Sequence, residues 1–254
     1  MTVTIAVAGK GGTGKTTFTA LLIKYIRLHD LGNILAIDGD PSANLNLVLG
    51  MDLSETVGRI REDARTQVSE GRFDPSMPKA DFFEYQVSNS LVEGDKIDLI
   101  AMGRPEGPGC YCAANMILRN VIDRLGNQYD FVVIDNEAGM EHISRQTARE
   151  VDSLFIVTDL TMRGLAAAGH IAQLIRELGT RVHRAYLVIN RTDDDVPQHW
   201  MPKIREYGLE LIGTLPNDPT VGEFDVIGKP LIDMPQEAPI YKAVAEIAGK
   251  AGIQ

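Results

Sequence analysis

Positive charge is in short supply in this chain. Its 254 residues carry 25 Lys and Arg against 35 Asp and Glu, a formal net charge of −10 at pH 7. Surfaces that bind nucleic acid cluster Lys and Arg against phosphate, so this balance argues against such a partner. Long apolar runs are absent too: none approaches the roughly 20 residues that a membrane-spanning helix needs. The helical stretch Pro239 to Ala251 lacks the strongly basic face that holds a helix on a membrane surface. No cleavable leader is visible before the first strand, so the cytoplasm is the expected compartment. No repeat, low-complexity tract or dividing linker occurs, and one α/β domain over residues 1–254 is expected. Cysteine is scarce as well: Cys110 and Cys112 are the only two.

What is present is an alternation of strands and helices. Apolar runs at Val3–Ala8, Ile34–Ile37, Ile97–Ala101, Phe131–Asp135, Leu154–Thr158, Ala185–Ile189 and Leu209–Gly213 read as buried strands. Helical spacing lies between them at Thr17–Leu28, Ala113–Leu125, Arg163–Leu178 and Gln198–Tyr207, and follows them at Ile240–Ala248. A helix from Ser42 to Leu49 is the other reading of the Asp-Pro turn before it. Such alternation predicts a doubly wound, mostly parallel sheet with helices on both faces. Leu53–Gln86 is more charged, contains Pro75 and Pro78, and is the expected irregular insertion.

Residues 9–17 read Gly-Lys-Gly-Gly-Thr-Gly-Lys-Thr-Thr and satisfy G-x-x-x-x-G-K-[ST] through Gly9, Gly14, Lys15 and Thr16. Strand, glycine loop and helix follow in the order a phosphate-binding loop requires. Backbone N–H groups of Gly11, Gly12, Thr13 and Gly14 would face phosphate oxygens, and Thr17 continues the contact into the helix. Lys15 would neutralise phosphate charge, and Thr16 would offer its hydroxyl to Mg²⁺. Lys10 is a second lysine that one chain does not need for its own phosphates. Ligands of open α/β sheets sit beyond the strands' carboxyl ends, so Asp38 and Asp40, after Ile34–Ile37, should face the nucleotide. One can reach the Mg²⁺ shell and the other an attacking water. Asp135 ends an apolar strand in the Walker B manner and should lie near Mg²⁺.

This loop resembles the deviant P-loop of the MinD/ParA/nitrogenase-iron-protein superfamily, within the SIMIBI class of P-loop NTPases. The resemblance implies an ATP/ADP-binding homodimer in which Lys10 crosses the interface to the partner's phosphates. The run Asp38-Gly39-Asp40-Pro41 is similar to the family's switch I, which implies that Asp40 positions the attacking water and Asp38 supports Mg²⁺. Asp135-x-x-x-Gly139 is similar to switch II. Asn190, at a strand end, resembles the adenine-reading residue, whose amide can pair with N6 and N7. Pro216 and Asn217 stand where the family closes over the base.

Two thiolates do not complete a structural zinc site, which takes four ligands. A two-fold dimer would supply four from Cys110 and Cys112, a set that suits Zn²⁺, Ni²⁺, Cu⁺ or an iron–sulfur cluster. The Gly/Pro-rich approach to Cys110 is similar to nitrogenase iron proteins. Those carry a further cysteine in switch II, where this chain has none between Asp135 and His142. The deviant loop, the Cys-Tyr-Cys run and Ala138-Gly139-Met140-Glu141-His142 together resemble the carbon monoxide dehydrogenase nickel-insertion ATPases of the CooC/AcsF type. That resemblance implies a nickel metallochaperone whose client is carbon monoxide dehydrogenase or acetyl-CoA synthase. An iron-protein-like ATPase with an intersubunit [4Fe–4S] cluster and a ParA/MinD-like positioning ATPase are the alternatives. His29, His170, His183 and His199 are scattered without ligand spacing.

Overall fold

The computed structural model describes residues 2–70, 86, 90–104, 124–137, 150–177 and 179–254. Seven strands form one sheet: β1 (Val3–Gly9), β2 (Ile34–Asp38), β3 (Ile97–Ala101), β4 (Phe131–Asp135), β5 (Glu150–Asp159), β6 (Arg181–Asn190) and β7 (Glu210–Thr214). Their order is β3-β2-β4-β1-β5-β6-β7, and every adjacent pair is parallel. The order reverses at β1, the point where doubly wound folds open a crevice for ligands. The register sets what meets there. Asp38 pairs with Asp135, and Gly9 pairs with Val157.

Parallel strands are buried on both faces, which is why their sequences are apolar throughout rather than alternating. Ile5, Val7, Ala36, Val133, Phe155 and Val188 point to one side. That side is covered by α1 (Lys15–Leu28), α2 (Leu45–Leu49), α6 (Pro219–Val226) and α7 (Pro239–Lys250). Ala6, Ala8, Ile37, Ile134, Ile156 and Ile189 point to the other. There α3 (Val57–Ser69), α4 (Met162–Glu177) and α5 (Met201–Glu206) close the core, with Trp200 beside them. Phe155 is fully buried between two rings, 5.2 Å from Phe18 and 5.3 Å from Tyr186 between centroids. Lys24 ties α1 to the C-terminal region: its ammonium, buried against the Tyr241 ring, donates to the Ile232 carbonyl at 2.6 Å.

Several elements differ from the sequence expectation. Val57–Ser69, inside the segment expected to be irregular, is helical because Val57 and Ile60, three residues apart, both enter the core. Residues 71–85 of that segment lie outside the described residues. The helix after the Asp-Pro turn begins at Leu45 rather than Ser42, since the turn first wraps around the Asp38 carboxylate. β5 and β6 extend further toward their amino ends, where charged Glu150 and Arg181 pair across the strands and mask the apolar pattern. Gln198–Tyr207 divides into a 3₁₀ turn at Gln198–Trp200 and helix α5, with Pro202 in its first turn. Helix α6 had no expected counterpart. Ala113–Leu125 lies outside the described residues except for its last two.

Truncating Phe155 removes the ring on which two others pack. Phe155→Ala is expected to lower unfolding stability by about 3–5 kcal/mol, read as a fall in the urea midpoint with the m-value preserved.

Candidate functional site

β1 ends inside the sheet, and the chain must leave it at once. Gly9 makes this exit at φ 152, where a Cβ would sit 2.2 Å from the Val157 carbonyl oxygen of β5. No other residue fits there. The loop then curls on the carbonyl of Lys10, which accepts the Thr13 hydroxyl at 2.8 Å and the Lys15 ammonium at 3.4 Å. Gly14 enters α1 at φ 90, and a Cβ on it would lie 2.2 Å from Nδ2 of Asn190. The loop is thus held between β5 on one side and the end of β6 on the other. Its tip, Lys10, Gly11 and Gly12, is exposed. Among the described residues, the Lys10 ammonium has neither hydrogen bond nor ion pair.

Beside the loop, the carboxyl ends of β2 and β4 bring Asp38 and Asp135 together at 1% exposure each. The Thr16 hydroxyl donates to Asp135 at 2.6 Å, and Thr19 one turn later at 3.4 Å. Burial pushes the Asp135 carboxyl up to about 7, aided by the charges of Asp38 and Asp40 and opposed by Thr16 and Lys15. Asp38 is pushed up to about 6 by burial, against the backbone N–H groups of Leu45, Asp40 and Asn44. Those amides show a task beyond metal support: Asp38 organises the turn that carries Asp40, accepting from Asp40 N at 3.0 Å and Leu45 N at 2.8 Å. Asp40 itself is partly exposed and accepts the Ser42 N–H at 2.8 Å. Lys15, only 7% exposed, is lowered by burial, with Asp135, Asp40 and Glu137 pulling it back up. Two buried carboxylates that resist ionisation, beside a hydroxyl, are hard oxygen donors short of a cation, which fits Mg²⁺.

Thr17, Asn190, Pro216 and Asn217, far apart in sequence, line one cavity of about 270 Å³ at the end of the loop. Asn190 is more occupied than a free base reader would be. Its Nδ2 donates to the Thr13 carbonyl at 2.8 Å, and its Oδ1 accepts the Arg191 N–H at 2.8 Å. One N–H and one lone pair remain for a ligand. Two residues were missed from sequence. Asn136 donates to the Val7 carbonyl at 2.9 Å and pins the start of the loop after β4 to β1. Asp218 lines the base cavity and caps two helices at once, accepting from Thr220 N of α6 at 3.0 Å and Ile240 N of α7 at 3.1 Å. Burial alone would raise the Asp218 carboxyl, but these hydrogen bonds hold it below its ordinary value. Asp-Pro-Thr was a helix-start signal for α6; the second cap is tertiary and has no local signature.

Cys110, Cys112, Gly139 and His142 lie outside the described residues. Among the described residues, no cluster of three or more His, Cys, Asp or Glu could hold a metal, and no helix is long and apolar enough to cross a membrane.

Asp218→Ala is expected to cost about 2 kcal/mol, roughly 1 for each cap, with Asp218→Asn milder, measured by chemical denaturation. The raised carboxyls give a pH dependence. Between about pH 4 and pH 7 Asp38 and Asp135 keep protons in the folded chain that the unfolded chain has lost, so their contribution to stability falls as pH rises. Without Mg²⁺, Asp135→Asn is therefore expected to raise the melting temperature at pH 8 and to flatten this decline between pH 5 and pH 8.

Residues 4–231 match the family described as CobQ/CobB/MinD/ParA nucleotide binding domain. An uncharacterized ATP-binding protein of Methanocaldococcus jannaschii is 43% identical over 246 residues, 97% of either chain. The carbon monoxide dehydrogenase accessory protein CooC of Rhodospirillum rubrum is 31% identical, over 91% of this chain and 89% of that one. The crystal structure of the cell division ATPase MinD from Pyrococcus furiosus superposes with a TM-score of 0.71 at 25% identity, covering 100% of this chain and 99% of that one. With a phosphate loop at the sheet's reversal point and buried carboxylates beside it, the chain belongs to the CobQ/CobB/MinD/ParA nucleotide-binding family and is a P-loop ATPase of the MinD/ParA kind.

Proposed function

We propose that this ATPase is a metallochaperone acting as a homodimer. Cys110 and Cys112 of both subunits bind Ni²⁺ or Zn²⁺, and ATP hydrolysis releases the metal to a carbon monoxide dehydrogenase or acetyl-CoA synthase under maturation. One observation carries the reading: the chain's only two cysteines form a Cys-x-Cys pair, in a sequence 31% identical over most of its length to a carbon monoxide dehydrogenase accessory protein. The metal ion here is cargo. The exposed Lys10, unpaired among the described residues, supports the dimer, since it is free to meet a partner's phosphates.

In this reading the loop from Gly9 to Thr17 binds ATP phosphates through backbone N–H groups, and Lys15 neutralises their charge. Thr16 and Asp135 would hold Mg²⁺, with Asp38 in support; when bound, Mg²⁺ supplies positive charge to the phosphate oxygens. Asp40 has one carboxylate oxygen on Ser42 N and turns the other to the attacking water. Lys10 of one subunit stabilises charge developing on the phosphates of the other. Thr17, Asn190, Pro216 and Asn217 enclose the base. The loop after Asp135 transmits the loss of phosphate to the metal site.

A second reading, a positioning ATPase, draws on the full-length superposition with MinD. It requires a membrane or DNA surface, which the net charge of −10 disfavours. Sedimentation with liposomes and DNA separates the two. The metallochaperone predicts no ATP-dependent capture on either, and capture would favour the positioning role.

Gel filtration with and without ATP and Ni²⁺ is expected to show a dimer promoted by both. The Cys110→Ser/Cys112→Ser double variant should lose the metal and its effect on assembly while keeping ADP binding. A double variant that dimerises with Ni²⁺ like wild type would sink the metal reading. Lys10→Ala is expected to bind ADP normally yet turn over ATP about 10²-fold more slowly or worse.

A further inference from the structure

The P-loop is gripped from outside by two consecutive residues. At the end of β6, Arg191 Nη1 donates to the Gly12 carbonyl at 3.0 Å, and Asn190 Nδ2 donates to the Thr13 carbonyl at 2.8 Å. The Arg191 N–H returns to Asn190 Oδ1 at 2.8 Å, so the two side chains brace each other. Arg191 sits at φ 58, a left-handed conformation that is uncommon for a residue with a side chain. That bend at the strand end turns the chain so that adjacent side chains reach adjacent carbonyls of the same loop. Such strain persists only where the surroundings enforce it, and it concentrates at functional sites.

The consequence follows from peptide geometry. In a trans peptide the carbonyl and the following N–H point in opposite directions, and the described chain has no cis bonds. Holding the carbonyls of Gly12 and Thr13 toward β6 directs the N–H groups of Thr13 and Gly14 to the opposite side, into the hollow of the loop. The Thr13 N–H points that way, toward the Lys10 carbonyl at 3.4 Å. The Gly12 peptide is at the exposed tip, where Arg191 supplies the one side-chain hydrogen bond printed by the geometry to its carbonyl.

We propose that Arg191 is a positioning residue for phosphate binding: with Asn190 it clamps the outer peptide planes of the P-loop so that their N–H groups face the nucleotide's phosphates. The proposal rests on nucleotide binding at this loop. It competes with two simpler roles. Arg191 also lines the base cavity and could stack on the base, and its charge could attract phosphate through space.

Calorimetric titration of wild type, Arg191→Gly and Arg191→Lys with ADP, inorganic pyrophosphate and adenosine separates these roles. Arg191→Gly removes the side chain and relieves the left-handed backbone, so it should melt no lower than wild type. The clamp predicts that this variant loses about tenfold in affinity for ADP and for pyrophosphate, with adenosine unchanged. Arg191→Lys, which keeps a donor, should recover most of the loss. The ratio of wild type to Arg191→Gly should hold when salt is raised to about 0.5 M, because hydrogen-bond geometry is not screened. A loss shared by adenosine, a ratio that collapses in salt, or ADP affinity equal to wild type would each overturn the clamp. Wild type that binds none of the three ligands would overturn the nucleotide assignment itself, a different result from a variant that matches wild type.

Discussion

The site depends on how closely β1 is hemmed in by its neighbours. β1 lies between β4 and β5, and it stays paired with β5 until Gly9 meets Val157. The chain can turn out of the sheet there only because Gly9 has no Cβ to strike the Val157 carbonyl. That exit aims the loop over the carboxyl ends of β2 and β4, where the register has set Asp38 beside Asp135. A shift of one residue in the β2–β4 register would turn one of these carboxylates to the opposite face of the sheet.

The price of this arrangement is electrostatic. Lys15, Asp38 and Asp135 are all nearly inaccessible, and burial works against the charged form of each. The loop partly offsets this by giving each group a partner: Thr16 for Asp135, backbone amides for Asp38, the Lys10 carbonyl for Lys15. A site so poised gains most when phosphate and a divalent cation arrive together. Asp38 joins this electrostatic core to the mobile chemistry of Asp40, because the amides that stabilise its carboxylate belong to the turn carrying Asp40.

The base end is built on a different principle, hydrogen bonds between distant strand ends and helix starts. Asn190 and Arg191 hold the loop from β6, while Asp218 fixes the starts of α6 and α7 around the same cavity. Lys24, further along α1, anchors the helix that begins at the P-loop to the segment before α7. The phosphate loop, base cavity and C-terminal helix are therefore one connected piece of structure.

The P-loop, the seven strands and the aspartates at their ends were legible from sequence, because each is a local pattern: glycine spacing, an apolar run, a carboxylate at its end. Lys10 was legible as a surplus charge, and its exposure is what the folded chain adds. The extension of β5 and β6 through Glu150 and Arg181 was not legible, since those residues earn their strand conformation from each other rather than from hydrophobic periodicity. Nor was the helix from Val57 to Ser69, whose apolar residues are few and whose charged face reads as irregular. Sequence by itself determined that this protein holds phosphate and carries carboxylates for its chemistry. Only tertiary structure decided that Asn190 grips Thr13, that Asp218 caps two helices and that Arg191 reaches Gly12. Those bonds join residues as much as 179 positions apart, and a hydrogen bond depends on distance in space, which local sequence does not encode.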